Sequence, residues 1–410
     1  MPFPLTHDGA KGRLVTRPFA AITVATFAYF CAVGINLPVL PQYVKDGLGS
    51  TGLGVGIVLG CYSVAAVAVR PVLSWMGARH GSRAMMRLGP AIAVVGYALC
   101  ATNDVLLVLI ALRMVVGVAE ALHFVGGATM INELAPPDRR AEAASYYSVA
   151  VFGGLGVGPL IGEAMATRGR YHEAFLLAAG CALIAWVLGT GVPRSVGRPV
   201  AVGATVSRRL VHPGAVGTGA VLALGIIGYT AWGVFITLQA KEVGMTNAGL
   251  VFVVYSVLVL ALRLVGARVP ERVGLARCAA AALALDVVGL GLIAAWNSPV
   301  GVYAGTVVLA LGTSLLYPAL QTMTVNSVSD DERPAVVSTF TMFFEIGGAV
   351  GALTLGAVAD IAGYRGTFAA GAFVALLGLP VLWRLVVLPR RASLLAARRS
   401  GAPSPIMICD

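Results

Sequence analysis

The chain has 410 residues, of which 58% are apolar and 11% are charged, and its formal net charge is +11. Soluble domains carry about 25% charged residues, so this composition excludes a soluble enzyme, a disordered protein and a nucleic-acid-binding domain. We expect instead a multi-pass membrane protein whose positive charges lie at the ends of its helices.

Twelve apolar runs follow one another along the chain, each bounded by Gly, Pro or charged residues. Each run is long enough to cross a hydrocarbon core that requires about 20 apolar residues per helix. In lipid these runs are helices, because every backbone polar group needs a partner within the chain. The sequence therefore predicts an all-α membrane protein with twelve transmembrane helices. The predicted spans are residues 18–39, 52–76, 85–102, 105–128, 141–163, 173–192, 215–238, 248–267, 277–296, 300–325, 336–358 and 366–388.

The distribution of Lys and Arg residues predicts how the chain is oriented. Alternate loops share a side, and the side that holds both tails carries 21 of the 29 Lys and Arg residues. The opposite side carries five, and Arg70, Arg113 and Arg263 lie within helices. An excess of positive charge marks the cytoplasmic side. We therefore expect a protein of the cell membrane with both termini in the cytoplasm.

The longest predicted loop, residues 193–213, is polar and basic and follows the sixth span. It divides the chain into an N-terminal six-helix bundle, residues 1–192, and a C-terminal six-helix bundle, residues 214–390. Residues 391–410 are expected to form a cytoplasmic tail.

The two halves superimpose without gaps at a shift of 193 residues, which matches Arg70 with Arg263 and Gly158 with Gly351. Charged residues recur at loop positions in the same register, which low-complexity sequence does not explain. Two parallel six-helix halves are the architecture of one large transporter class, in which the substrate binds between the halves near mid-membrane. We expect two pseudo-symmetric bundles of this kind.

The loop after the second span carries a recognisable motif. Residues 70–83 read RPVLSWMGARHGSR and resemble the RPxxGxLaDRxGRR loop of the major facilitator superfamily. Ser74 and Ala78 replace the expected Gly and Asp, whereas the second copy keeps an acid at Glu271. In the family this loop is a cytoplasmic charge latch between the halves. The resemblance therefore implies gating roles for Arg70, Arg79, Gly81, Glu271 and Arg272, and anchoring of helix ends is the alternative interpretation.

The fifth span contains a run of glycines that resembles the antiporter motif GxxxGPxxG of the same family. Its residues are Gly154, Gly158, Pro159 and Gly162. Glycines four residues apart allow another helix to approach closely, and a proline bends the helix. The physical effect is therefore helix packing, and the resemblance adds that this motif is typical of exporters that exchange protons.

Four ionisable residues inside the apolar spans are proton-coupling candidates, because such groups are costly in lipid and by default functional. Arg113 resembles the RxxxG motif of the fourth helix and lies on the same helical stripe as Glu120, whose charge it is expected to tune. A structural Arg–Glu pair is the alternative. The resemblance places Glu345 near the cavity and Asp286 at the periphery, where it could instead hydrogen-bond a neighbouring helix. His123 lies off the stripe, and we expect it to pack between helices.

Aromatic and amide side chains at helical spacing are candidates for lining the substrate cavity. Packing between helices or contact with lipid is the alternative for these residues. The candidates are Asn36, Tyr229, Trp232, Tyr317 and Phe344.

No nucleotide-binding loop, hydrolase motif or paired metal ligands are found in the sequence. We therefore expect no enzymatic activity, no cofactor, no metal and no nucleic-acid partner, and a monomer in the bilayer. The favoured function is export of a drug or secondary metabolite by proton antiport through alternating access. Import or facilitated passage of a sugar or organic anion is the first alternative, and a non-transporting membrane sensor is the second.

Overall fold

A computed structural model describes residues 14–136, 139–193, 196, 211–265, 269–329 and 332–388. Within these ranges the regular structure is helical and no strand is present. Short π-helical turns, Tyr43–Gly47 and Trp383–Val387, follow the first and last helices. The α-helices are α1 (Arg17–Gln42), α2 (Gly52–Ala68), α3 (Arg70–His80), α4 (Ser82–Cys100), α5 (Leu106–Leu134), α6 (Arg140–Ala166), α7 (Tyr171–Thr190), α8 (Pro213–Glu242), α9 (Gly249–Val265), α10 (Val269–Val273), α11 (Leu275–Ala295), α12 (Pro299–Val325) and α13 (Arg333–Leu382).

The helices account for all twelve predicted spans. The second span is divided between α2 and α3, because Pro71 occupies the first turn of α3, where a missing N–H is tolerated. The last two spans are two helices within the range Arg333–Leu382, separated by a break at Gly363 with φ 67° and ψ −178°; the label α13 covers both. Only glycine adopts this conformation without strain. The prediction of an all-α, twelve-helix membrane protein is confirmed.

The internal repeat is visible in the helix boundaries. The helices that begin at Ser82, Leu106 and Arg140 have counterparts that begin at Leu275, Pro299 and Arg333, each 193 residues further along the chain. Both copies also enter the third helix of their half through a glycine with positive φ, Gly81 at 80° and Gly274 at 93°. The two halves are therefore built on one backbone pattern.

Within the described residues, the halves meet along two seams. In the N-terminal half, α1 packs on α6 and α7, and α4 packs on α5 and α7. In the C-terminal half, α8 packs on α13, and α11 packs on α12. Between the halves, α2 packs on the first part of α13 and α9 packs on α6. We call these contacts the α2–α13 seam and the α6–α9 seam; the repeat relates one to the other.

Large apolar side chains cover much of the outer surface. Leu107 is 74% exposed, and several Val, Leu and Phe side chains on the outer helices are about half exposed or more. Apolar surface of this extent is expected to face a partner or lipid. Together with the long apolar helices, it identifies a multi-pass membrane protein.

Candidate functional site

The two ends of the bundle differ in charge. The basic end carries Arg79, Arg140, Arg272 and Arg333, and the opposite end carries Asp46, Lys241, Asp360 and Arg365. The basic end corresponds to the side predicted to be cytoplasmic.

At the opposite end, glycines bring the two halves into backbone contact. In the α2–α13 seam, a Cβ built on Gly356 would lie only 2.7 Å from the carbonyl oxygen of Gly52. In the α6–α9 seam, a Cβ on Gly249 would lie 2.8 Å from the carbonyl oxygen of Pro159. Real Cβ atoms do not approach other atoms so closely, so these positions must be glycine for the seams to close.

Two polar contacts also join the halves at the opposite end. The carboxylate of Asp360, on α13, accepts hydrogen bonds from the backbone N–H groups of Gly52 at 2.5 Å and Leu53 at 2.8 Å. Asp360 therefore caps the N-terminus of α2 from the other half, where an acid is favoured. The ammonium of Lys241 donates to Asp46 at 2.9 Å. The halves are therefore closed against each other at this end.

At the basic end, long side chains make the contacts between the halves. The guanidinium of Arg70 donates to the carbonyl oxygen of Ser338 at 3.0 Å and to the hydroxyl of Thr341 at 2.7 Å. In the other seam, the guanidinium carbon of Arg263 lies 4.7 Å from the ring centre of Phe152. Side-chain contacts such as these can be released without separating tightly packed backbones.

Each half contributes one carboxyl group within the helical bundle. Glu345, on α13, lies beside Ser63 and Arg70 of the N-terminal half. Glu120, on α5, is close enough to Glu345 to interact with it electrostatically. One carboxyl oxygen of Glu120 is buried without a hydrogen-bond partner among the described residues. Tyr317 is within electrostatic range of Glu345 and Arg70.

The predicted effect of Arg113 on Glu120 stays a prediction. Arg113 is buried, and its guanidinium carbon lies 4.7 Å from the ring centre of Tyr62 and near Tyr97. Both residues lie on α5, seven positions apart, and they form no ion pair among the described residues. The shared stripe was correct, but the partners of Arg113 come from α2 and α4.

Asp286 lies fully buried on α11, against α12. A Cβ on Gly312 would collide with its carboxyl group, so this glycine makes room for the acid. Neither carboxyl oxygen has a hydrogen-bond partner among the described residues. The alternative of a hydrogen bond to a neighbouring helix is therefore not observed among these residues, and α11 packs on α12, α13 and α8 of its own half.

The cavity candidates fall into two groups. Trp232 is 1% exposed and donates from Nε1 to Thr306 at 2.9 Å, so it packs between helices in this structure, as the alternative interpretation has it. Tyr229 stacks on Trp232 and is partly accessible. Tyr317 and Phe344 form a second group, with ring centres 6.3 Å apart, and Phe344 is 36% exposed.

Asn36 is also held within the protein core. Its side-chain N–H donates to the carbonyl oxygen of Ala32 at 2.7 Å, and its side-chain oxygen is buried without a partner among the described residues. It is 3% exposed. Asn36 therefore lies in α1 without reaching an open cavity in this conformation. His123 stacks on Tyr29 at 4.3 Å, in agreement with packing between helices.

The glycines of the antiporter-like motif pack α6 on α1 within the N-terminal half. A Cβ on Gly158 would lie 2.5 Å from the carbonyl oxygen of Cys31, and one on Gly154 would lie 2.7 Å from that of Phe27. Gly162 approaches Ile35 in the same way. Pro159 is the member of the motif that also reaches the other half, through its carbonyl oxygen and Gly249.

Arg70 is the latch candidate that joins the halves, whereas Arg79 and Gly81 have local surroundings in this structure. Arg79 lies over the ring of Trp75, with 5.6 Å from its guanidinium carbon to the ring centre. Gly81 joins α3 to α4 with positive φ. Arg272 is exposed at the end of α10, and the side chain of Glu271 lies outside the described residues. Outside the spans, the Ser329 hydroxyl and backbone N–H lower the pKa of Glu332 at the start of α13.

Comparison with known proteins fits this architecture. The family model of the Major Facilitator Superfamily matches residues 22–240 and again residues 217–408, one match for each half of the chain. The chain belongs to the Major Facilitator Superfamily. Among related proteins, the uncharacterized MFS-type transporter YhhS of Escherichia coli K12 is 25% identical, over 94% of this chain and 96% of the relative. An uncharacterized MFS-type transporter of Burkholderia mallei is 27% identical, over 87% and 90%.

Solved structures with the same fold are also transporters. The nucleoside transporter NupG has a TM-score of 0.75 at 13% identity, covering 90% of this chain and 99% of its own. The human organic anion transporter MFSD10 has a TM-score of 0.65 at 19% identity, covering 89% and 99%. At these identities the likeness establishes the fold. This Major Facilitator Superfamily member is thus a multi-pass membrane transporter.

Sequence reasoning missed the groups that close the opposite end of this Major Facilitator Superfamily transporter. Asp360 was not singled out, because its partner is the backbone of α2, about 300 residues earlier in the chain. Lys241 was counted only as a loop charge, and Asp46 was not considered. An acid at the end of one span was the one available signal, but it does not indicate which helix is capped.

Proposed function

We propose that this transporter exports a small organic molecule, a drug or secondary metabolite, in exchange for protons. The observation that carries the proposal is the pair of acids from opposite halves, Glu120 and Glu345, within electrostatic range of each other. Two carboxylates within electrostatic range repel each other when both are charged, and a proton bound to either one removes the repulsion. The protonation of the pair therefore depends on how the halves are arranged.

Alternating access supplies the coupling. When the opposite end is open, the acids face the outside and bind a proton. While the opposite end is closed, as in this structure, Arg70 lies beside Glu345 and stabilises its charged form, so the proton is released towards the basic end. Closure of the opposite end by glycine contacts, with side-chain contacts at the basic end, supports a rocking motion of one half against the other.

Export follows from the motif and the orientation. The GxxxGPxxG sequence resembles that of proton-exchanging exporters, and the excess of Lys and Arg assigns the basic end to the cytoplasm. On this proposal the protein lies in the cell membrane with both termini inside. It acts as a monomer without cofactor, and the loop 193–213 joins the two bundles.

Transport of an organic anion is the second candidate. Three arginines lie within the bundle, and Arg70 and Arg263 are both in the seams between the halves. Both also lie within electrostatic range of Tyr317. Cations at this position favour a substrate with a carboxylate or phosphate group over a neutral sugar.

Reconstituted vesicles test the proposal directly. Vesicles with an acidic lumen and an enclosed pH dye receive compounds from a panel, each at the same concentration. For a proton antiporter, entry of the compound makes the lumen more alkaline, and the compound accumulates above its outside concentration. Entry with an unchanged pH indicates a facilitator, and entry that makes the lumen more acidic indicates symport. Glu142→Gln, which alters an exposed acid, is the matched control for any acid variant.

A further inference from the structure

The surroundings of Arg70 and Arg263 can be compared position by position, because the repeat relates them. The partners of Arg70 are Ser338, Thr341 and Glu345. At the same shift of 193 residues, the positions beside Arg263 are Ser145, Ser148 and Phe152.

The second copy therefore keeps the arginine and the two hydroxyl residues but lacks the acid. Phe152 stands at the position that corresponds to Glu345, and Arg263 stacks on its ring. Stacking uses the face of the guanidinium group and leaves its N–H donors directed outward in the plane. Among the described residues no carboxylate pairs with Arg263, and its Nε has no hydrogen-bond partner.

A cavity lies beside Arg263 and the two serines. It has a volume of about 130 Å³ and is lined by Arg263, Ser145, Ser148, Ala144, Leu260 and Leu264. One water molecule requires only about 10–15 Å³, so a carboxylate or phosphate group fits. Its walls combine one cation, two hydroxyl residues and apolar surface, which suits an anionic head with an apolar body.

We propose that this cavity binds an anionic group and that Arg263 and Ser148 hold its carboxylate or phosphate. In the first copy of the repeat, the corresponding pair is Arg70 and Thr341, on the side of α13 that carries Glu345. The protein supplies the anion in one copy of the repeat, and a ligand supplies it in the other. The site lies between the halves, so a bound anion ties α6 to α9. This goes beyond the proposed function, because it needs no proton gradient and no direction of transport.

Binding is measured as the rise in melting temperature of the detergent-purified full-length protein with increasing benzoate or inorganic phosphate. The wild type is expected to show a saturable rise with at least one of these probes. Arg263→Gln should weaken it at least about tenfold, because a charge-assisted hydrogen bond is lost. Arg277→Gln, which removes an exposed cation of the same end, should leave it unchanged.

A second variant tests the repeat argument without removing the arginine. Phe152→Glu installs the carboxylate that the first copy has, and it should abolish probe binding while the protein still folds. Measurement in nanodiscs of phosphatidylcholine with or without phosphatidylglycerol separates the two sources of the anion. If an anionic lipid headgroup occupies the site, phosphatidylglycerol weakens probe binding in the wild type but not in Arg263→Gln. If a soluble organic anion is the ligand, the two lipids give the same affinity.

The proposed site is refuted if the wild-type melting temperature shows no saturable rise with either probe in either medium. It is also refuted if Arg263→Gln and Phe152→Glu both bind the probe with wild-type affinity. Because no gradient is imposed, that failure is separate from a failure of proton exchange in vesicles.

Discussion

Replacing Asp360 with alanine should weaken the closure of the opposite end of the transporter. Its carboxylate accepts two backbone hydrogen bonds, at 2.5 and 2.8 Å, from the first turn of α2 in the other half. Loss of an N-cap costs about 0.5–2 kcal/mol. Because this cap exists only while the end is closed, the ratio of closed to open molecules should fall about two- to thirtyfold.

Spin labels across the other seam report this change without touching the mutated site. Labels at Arg168 and Thr246, both exposed at the opposite end, should show a larger population at long distance in Asp360→Ala. Lys241→Ala is the matched comparison, because its ion pair with Asp46 is partly exposed, with side-chain exposures of 36% and 48%. Exposed pairs contribute about 0–1 kcal/mol, so this variant should open less. Equal distances in Asp360→Ala and wild type would refute the role of the cap.

Gly158→Leu should lower the melting temperature in detergent and reduce transport, because overpacking α6 on α1 costs about 1–3 kcal/mol. Gly180→Leu, whose added side chain would meet open space, should leave both the melting temperature and transport unchanged. Unchanged melting of the first variant would contradict the packing argument. A single cysteine placed at Lys241 should react with an impermeant thiol reagent added from outside. A single cysteine placed at Arg198, which lies beyond the described residues, should not react. The reverse pattern would contradict the proposed topology. Asp286→Asn should accumulate substrate against its gradient like the wild type, because Asp286 lies between α11 and α12. Loss of proton coupling in this variant would make Asp286 the proton site.

Much of the fold could be predicted from the sequence because membrane helices are long and their ends are marked. The apolar run 300–325 became the helix Pro299–Val325, and the glycines beside charged loops marked where helices begin. Lipid permits few alternatives to a helix, so hydropathy alone decides the element type. The break at Gly363 and the division of the second span needed local backbone geometry.

The candidate site was harder to predict, because its contacts join residues far apart in the chain. The repeat identified Arg70 and Arg263 as equivalent, but only the packing of α2 on α13 shows that Arg70 reaches Thr341. For Arg113, helical spacing gave the correct face but not the neighbouring helices that supply its partners. Trp232 shows the same limit, since helical spacing placed it among the cavity candidates and the structure packs it against Thr306.

The central claim is that Glu120 and Glu345 carry the proton that drives export. Glu120→Gln and Glu345→Gln keep the shape of the side chain but cannot release a proton. In vesicles, both variants are predicted to exchange labelled substrate between two pools at equal pH, yet fail to accumulate it when the lumen is acidic. The Glu142→Gln control should do both. Uphill accumulation by both glutamine variants at the wild-type level, with the same alkaline shift of the enclosed dye, would contradict the account.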